Sequence, residues 1–306
     1  MYKIPKVKVF GVGGAGCNFI EKIIGKPVAG VKYFAVDDDC GRLQISTCEN
    51  KIRLIGSDHH GADCAYAQKT VAANESLLKE AVQGADMVIL VAGMGGGIGS
   101  VVTPALAQMA KSSGALTIAA VCTPFMFEGE KRLANAERGL QALRECADAV
   151  VAVPCENPRE NVPQNVPVTE MIKRTDETIV RITRLLLEPV LVPQVINLEY
   201  EDVAIFLRGA KRALFGFGVG EGENKIDKAL HSALNGISAA MPIADATGVF
   251  LYVEGGDDLV LNDISTIATC LKDVVNSSAN ILFAVNMDSG LSGKLEVSVL
   301  AVQNEI

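Results

Sequence analysis

Gly93-Met94-Gly95-Gly96-Gly97-Ile98-Gly99-Ser100 follows a wholly apolar run, Met87-Val88-Ile89-Leu90-Val91-Ala92, and precedes a helix-like segment from Pro104 to Lys111. Five glycines in seven positions leave backbone N–H groups unscreened where a helix begins. Such a nest of amides, with a helix N-terminus behind it, suits an anion, most often phosphate. A flexible linker would not sit between a buried strand and a helix.

Outward from this stretch, strands and helices alternate. Val7–Val12 reads as a buried strand that runs into Gly11-Val12-Gly13-Gly14-Ala15-Gly16-Cys17-Asn18 and a helix, Phe19–Ile24. Val31–Val36 is a second strand, ending in Asp37-Asp38-Asp39. Residues 65–83 read as helix, Leu116–Cys122 as strand, Lys131–Glu145 as helix and Ala149–Val153 as strand. This alternation predicts an α/β fold with a parallel, doubly wound sheet and functional loops at its carboxyl edge. A proline- and asparagine-rich break, Pro154–Pro167, leads to one long helix with Met171, Ile172, Ile179, Ile182, Leu185 and Leu186 on a single stripe. Pro189 and Pro193 end it, and a helix follows over Val203–Leu214. Strand-like runs at Gly248–Glu254, Ile281–Asn286 and Leu295–Val302 then predict a second, smaller α/β (α+β) domain.

Composition narrows the class. A hydrophobic content of 49% specifies a globular chain, and the absence of Trp makes its core aliphatic. The net charge of −8 argues against nucleic acid as a partner. Eight cysteines contain no Cys-x-x-Cys pair, which fits reduced, packed thiols and a cytoplasmic protein. His59-His60 with Cys64 lacks the remaining ligands of a zinc site, so no metal ligands are assigned to the protein. No apolar run reaches the length of a membrane span, so no direct membrane insertion is expected.

The first glycine turn alone is a weak dinucleotide signal, with Asp37–Asp39 placed as the ribose acid. A second turn at 93–99 makes that reading redundant. Two amide-rich turns on neighbouring strands suit a compact polyphosphate held from both sides. Neither is followed by Gly-Lys-Ser/Thr, so a Walker-type site is excluded. Nothing in residues 150–306 supplies hydride chemistry, which disfavours an oxidoreductase.

Together, Gly13-Gly14-Ala15-Gly16-Cys17-Asn18 and Gly93–Ser100 resemble the tubulin/FtsZ superfamily, the bacterial FtsZ branch in particular. Thr123-Pro124-Phe125-Met126-Phe127-Glu128-Gly129 with Arg132, Ile196-Asn197-Leu198-Glu199-Tyr200-Glu201-Asp202-Val203, Ala213-Leu214-Phe215-Gly216-Phe217-Gly218 and Gly222-Glu223-Asn224 follow in order. The resemblance runs from about residue 6 to 302. It implies a GTP-binding domain (1–166), a central helix (167–190) and a C-terminal activation domain (191–306). It also implies binding of GTP/GDP, head-to-tail self-assembly into protofilaments, hydrolysis at the subunit interface, and a role in cell division or a related filament process. Partners would be further copies of the chain and a co-polymerising FtsZ paralogue. Members that divide cells carry a C-terminal linker and peptide beyond the last strand, so a sequence stopping at Gln303-Asn304-Glu305-Ile306 resembles either a divergent member without that tail or a member whose tail has been cut away.

Carried over by position, the resemblance places phosphates on the amides of Gly13, Gly14 and Gly16 and of Gly95, Gly96, Gly97, Ile98 and Gly99, with Cys17, Asn18, Asp39, Gly93 and Ser100 beside them. Gly61 and Ala62 would sense the γ-phosphate. Glu128 and Arg132, with Pro124, would meet ribose and phosphate; Cys155, Ile172 and Asp176 would meet the base. A carboxylate at Asp176 can accept from both N1–H and the exocyclic amine of guanine. Glu199 and Asp202 match the acids that polarise the attacking water from the neighbouring subunit. Three residues apart, they share a face of a nascent helix turn, where acids also complement the helix dipole.

Departures from the family cluster at the nucleotide. Ile98 replaces a Thr, Val101 a glycine, Cys155 an asparagine, Ile172 a stacking aromatic, Asp37-Asp38 an Asn-Thr, and Glu199 an Asp. Phosphate binding through amides tolerates these changes better than base stacking does, and extra acids beside a polyphosphate call for Mg2+. A water-positioning acid moved by about 1 Å can cost roughly a hundredfold in rate. The alternative is therefore a nucleotide-binding filament protein with weak or no hydrolysis.

Overall fold

The computed structural model describes residues 4–56, 61–156, 166–238 and 241–303. His59 and His60 lie outside the described residues, as do the end residues 304–306. The chain divides into two compact units, residues 1–183 and 184–306.

In the first unit, strand β1 (Val7–Val12) leads into helix α1 (Gly13–Ile23), β2 (Lys32–Asp37) into α2 (Cys40–Ile45), and β3 (Asn50–Arg53) precedes α3 (Cys64–Ala73) and α4 (Glu75–Val82). Then come β4 (Met87–Gly93), α5 (Gly97–Ser112), β5 (Leu116–Thr123), a short 3-10 turn at Met126–Glu128, α6 (Glu130–Cys146) and β6 (Ala149–Pro154). The six strands lie in the order β3-β2-β1-β4-β5-β6, every pair parallel. β4 and β5 are buried along nearly their whole length, which is why they read as unbroken apolar runs. Leu90, Val102, Leu106 and Val121 build one core with Phe10. Fully burying such a side chain contributes about 1.5–3 kcal/mol.

Both glycine stretches turn out to be helix starts rather than loops before helices. α1 begins at Gly13 and α5 at Gly97, six and seven residues earlier than the apolar periodicity indicates. Glycine carries no hydrophobic signal, so the pattern cannot show these first turns. The segment 65–83 is two helices, because the Asn74 amide donates to Thr70 O and Ile55 O and breaks the run. β3 and α2 are too short, and β3 too exposed, to leave a periodic trace.

Helix α7 (Val168–Leu191) spans the division between the units and continues past Pro189, which does not end it. In the second unit, α8 (Tyr200–Leu207) stops well before Leu214. Gly209 and Lys211 at positive φ turn the chain into β7 (Arg212–Glu221), a strand unforeseen from the periodicity. α9 (Lys225–Ser238), β8 (Gly248–Gly255), α10 (Leu261–Val274), β9 (Asn280–Met287) and β10 (Lys294–Gln303) complete it. The strand order is β7-β10-β8-β9, with β10 antiparallel to both neighbours and β8 parallel to β9. A separate aliphatic core, including Leu251, Ile267 and Val299, holds this unit together.

Candidate functional site

A cavity of about 420 Å³ opens at the carboxyl ends of β1, β2, β4, β5 and β6, and its whole lining comes from the first unit. That volume lies within the range of ordinary ligand pockets, and the location is where doubly wound sheets bind ligands. Because β1 lies between β2 and β4, the two glycine turns stand side by side. An added Cβ on Gly13 would sit 3.2 Å from Gly99 N and 3.5 Å from Ile98 Cγ2, so the turns touch. Gly13 has φ +72, a conformation that favours glycine.

The N–H groups of a helix's first turn have no intrahelical acceptor. In α1 these belong to Gly13, Gly14 and Ala15, all of which line the cavity; in α5 Ile98 and Gly99 do, with Gly96 just before them. Three sequence-assigned amides are already committed. Gly95 N–H donates to Ser100 Oγ (2.8 Å), and Gly97 N–H donates to Gly61 O (2.9 Å). Gly16 lies one turn into α1, where its N–H follows the helical pattern back to Val12.

Gly16, Cys17, Ala62, Gly95 and Ser100 do not themselves line the cavity. A Cβ on Gly16 would lie 2.5 Å from Val91 O, so this glycine lets α1 pack on the sheet. The Cys17 thiol is buried and directed at Gly11 O, Val36 O and Asp37 Oδ2; burial, with Asp37 adding to it, pushes it up to about 12. Ala62 O accepts from the Asn135 amide (3.2 Å), and Ser100 supplies the Gly95 bond.

Gly13, Gly14, Asn18, Asp39, Gly61, Gly93, Gly96, Gly97, Ile98, Gly99, Pro124, Glu128, Arg132, Cys155, Ile172 and Asp176 all line the cavity. Glu128 is held on two sides: Phe125 N–H donates to Oε1 (2.9 Å) and Arg132 Nη1 to Oε2 (2.5 Å). Asp176 is buried and ion-paired with Lys22. Ile172 is 46% exposed at the rim. Two thiols face the same end. A hydrogen bond to Cys155 and burial push Cys122 up, while that same bond draws Cys155 down against burial.

Sequence reasoning passed over Ala15, Arg42, Cys122 and Thr175, which also line the cavity. Asp37 and Asp38 stood in the acidic run, but Arg42 gave no signal because its place depends on the fold. Its Nη1 donates to Asp37 Oδ2 (2.7 Å). Burial pushes the Asp37 carboxyl up against the pull of Arg42, while Asp37 and Asp39 hold the guanidinium charged despite its own partial burial.

Glu199 and Asp202 belong to the second unit and do not line the cavity. Both are exposed at the start of α8, where Glu199 occupies the N-cap position and makes no side-chain capping bond among the described residues. The segment before them is self-braced: Gln194 N–H donates to Asn197 Oδ1 (2.8 Å), and Leu198 N–H donates to Pro189 O (3.0 Å).

The description "Tubulin/FtsZ family, GTPase domain" matches residues 6–161, and "FtsZ family, C-terminal domain" matches residues 211–304. The chain belongs to the tubulin/FtsZ family. An FtsZ dimer structure from M. jannaschii is 30% identical, with a TM-score of 0.91 over 98% of this chain and 88% of that one. A GTPγS-bound protofilament of CetZ2 from Haloferax volcanii is 22% identical, with a TM-score of 0.78 over 97% of this chain and 93% of that one, a likeness of fold. Its tubulin/FtsZ membership gives this chain a GTPase-family domain followed by the FtsZ C-terminal domain. Among the described residues no helix is long and apolar enough to cross a membrane.

Proposed function

We propose that this chain is an FtsZ-like cytoskeletal GTPase that binds GTP and GDP in the cavity and polymerises head to tail. The carrying observation is the pair of touching helix starts, whose amides from Gly13, Gly14, Ala15, Gly96, Ile98 and Gly99, unspent among the described residues, face one cavity. Asp176, ionically paired with Lys22, is the acceptor for the guanine edge, and Glu128 with Arg132 meets ribose and phosphate. The boundaries 1–166, 167–190 and 191–306 then mark the nucleotide domain, the central helix and the activation domain.

Glu199 and Asp202 act on the next copy's nucleotide. Their exposure at the end of a braced segment suits acids that orient a water in line with a γ-phosphate only after a second subunit arrives. Among the described residues no group of three or more His, Cys, Asp or Glu side chains forms a metal cage. Mg2+ fits such a site as an ion carried by the phosphates and water, where it neutralises charge on the oxygens. A cytoplasmic filament role, in cell division or a related process and with a paralogous copolymer, fits this reading.

A second reading, a nucleotide-dependent filament with little hydrolysis, draws on Ile98 in the cradle and Ile172 at the rim, side chains without polar groups for the nucleotide. GTP-driven light scattering with simultaneous phosphate release separates the two. Assembly with release that Glu199→Ala abolishes supports hydrolysis at the interface. Filaments without release in the wild type support the second reading, and neither filaments nor release contradicts both.

A further inference from the structure

The acidic turn after β2 is built around an arginine. Asp37 is buried, and both its oxygens are engaged: Oδ1 accepts from the N–H groups of Asp38 (2.8 Å) and Asp39 (3.4 Å), Oδ2 from Arg42 Nη1 (2.7 Å) and the Cys17 thiol (4.0 Å). A carboxylate so occupied has little left to offer a hard divalent cation, which prefers open oxygen ligands.

Among the described residues the Arg42 guanidinium is hydrogen-bonded on one side only. Its Nη1 is bound to Asp37, whereas Nη2 stands 3.8 Å from Asp39 Oδ2, beyond hydrogen-bonding distance. The guanidinium lies against Gly14: an added Cβ there would fall 2.3 Å from Nη1, 2.8 Å from Cζ and 3.2 Å from Nη2. Gly14 belongs to the first turn of α1, and Arg42 lines the same cavity as the exposed amides of that turn. A planar cation with unspent N–H donors is thereby fixed beside an anion-binding helix start.

Of the other charged groups at the cavity, Glu128 is paired with Arg132 and Asp176 with Lys22, while Asp38 and Asp39 flank the arginine on its own turn. We propose that Arg42, clamped by Asp37, is a phosphate ligand that supplies this site with a built-in cation, so that nucleotide binding does not depend on a divalent metal. This rests on the reading of the cavity as a nucleotide site, and makes the Asp37-Asp38-Asp39 turn an arginine holder instead of a metal site.

Isothermal calorimetry of GDP and GTP, in EDTA and in magnesium chloride, tests it on the wild type, Arg42→Lys, Arg42→Gln and the double variant Asp37→Asn/Arg42→Gln. The double variant leaves no uncompensated buried carboxylate, and melting curves without nucleotide report folding. Expected in EDTA is wild-type binding within a few-fold of that in magnesium. Both Gln variants should lose about tenfold to a hundredfold, the scale of a charge-assisted bond, with part recovered by magnesium. Arg42→Lys, which keeps the charge without the fork, should fall between. A folded double variant that binds as tightly as wild type in EDTA overturns the proposal, as does wild type that binds only with magnesium, although the nucleotide reading then survives. Folded wild type that binds neither nucleotide in either condition overturns the reading of the cavity and this proposal with it.

Discussion

Glycine is concentrated in two places that use it for opposite ends. Around the cavity, Gly13, Gly14, Gly96 and Gly99 keep backbone amides open to a ligand. In β7, Gly216, Gly218 and Gly220 keep nothing open. An added Cβ on them would lie 1.9, 1.9 and 1.7 Å from carbonyl oxygens of Ala233, Ala229 and Lys225 in α9, so these glycines let a helix lie directly on a strand. A glycine-rich stretch is therefore a nest or a contact surface depending on what the fold brings to it, and the sequence of each looks much the same.

The sharpest way to break the comparison is Gly218→Ala. Backbone cannot retreat from a 1.9 Å approach as a side-chain end can. The substitution should destabilise the protein by about 3 kcal/mol or more, read as a lowered denaturant midpoint. GDP affinity of the molecules that remain folded should be unchanged.

Next in size are substitutions in the cradle, read as the nucleotide affinity of the molecules that remain folded. Gly99→Ala puts a methyl 2.2 Å from Gly93 O and distorts the α5 start, while at Gly96 the methyl would meet no described atom within 4 Å. Gly99→Ala should weaken GDP binding by roughly tenfold or more, the scale of one lost bond to a charged group. Gly96→Ala should stay within a few-fold of wild type. Equal losses at both would mean that glycine there serves flexibility rather than fit.

The smallest effect contrasts two buried acids. Asp37 is bonded to a guanidinium; Glu254 is buried in β8, with the Asn286 amide 3.4 Å away and Glu188 near. Burial first, and repulsion from Glu188 second, raise the Glu254 carboxyl above its ordinary value. The native protein then holds a proton that the unfolded chain has released, so Glu254 contributes its stability below the ordinary carboxylate value. That contribution fades as pH rises through the raised one. Glu254→Gln should flatten the fall in urea midpoint across that window; an unchanged slope would clear Glu254 of the effect.

Much of the first unit was legible because its central strands are buried on both faces and leave continuous apolar runs. Helix starts were not, since residues 13–16 and 97–99 are mostly glycine and carry no periodicity. β7 was hidden for a related reason: three of its inward positions are glycine where a strand would ordinarily show apolar side chains. At the cavity, motif order indicated most of the lining. It could not show that the N–H groups of Gly95 and Gly97 are bonded to Ser100 and Gly61, because only the fold brings those partners to them. Arg42 escaped notice because only packing brings its guanidinium over Gly14.

The central proposal is that one copy's acids complete another copy's cavity, and mixing two defective variants tests it most directly. Glu199→Ala keeps the cavity, Gly99→Ala keeps Glu199 and Asp202, and each alone should release little phosphate from GTP. Their mixture should recover substantial release, because the Glu199→Ala cavity meets an intact acid on its neighbour, and wild-type turnover should climb faster than linearly with protein concentration. A mixture as silent as its components, beside wild type whose release is strictly proportional to concentration, would contradict the proposal.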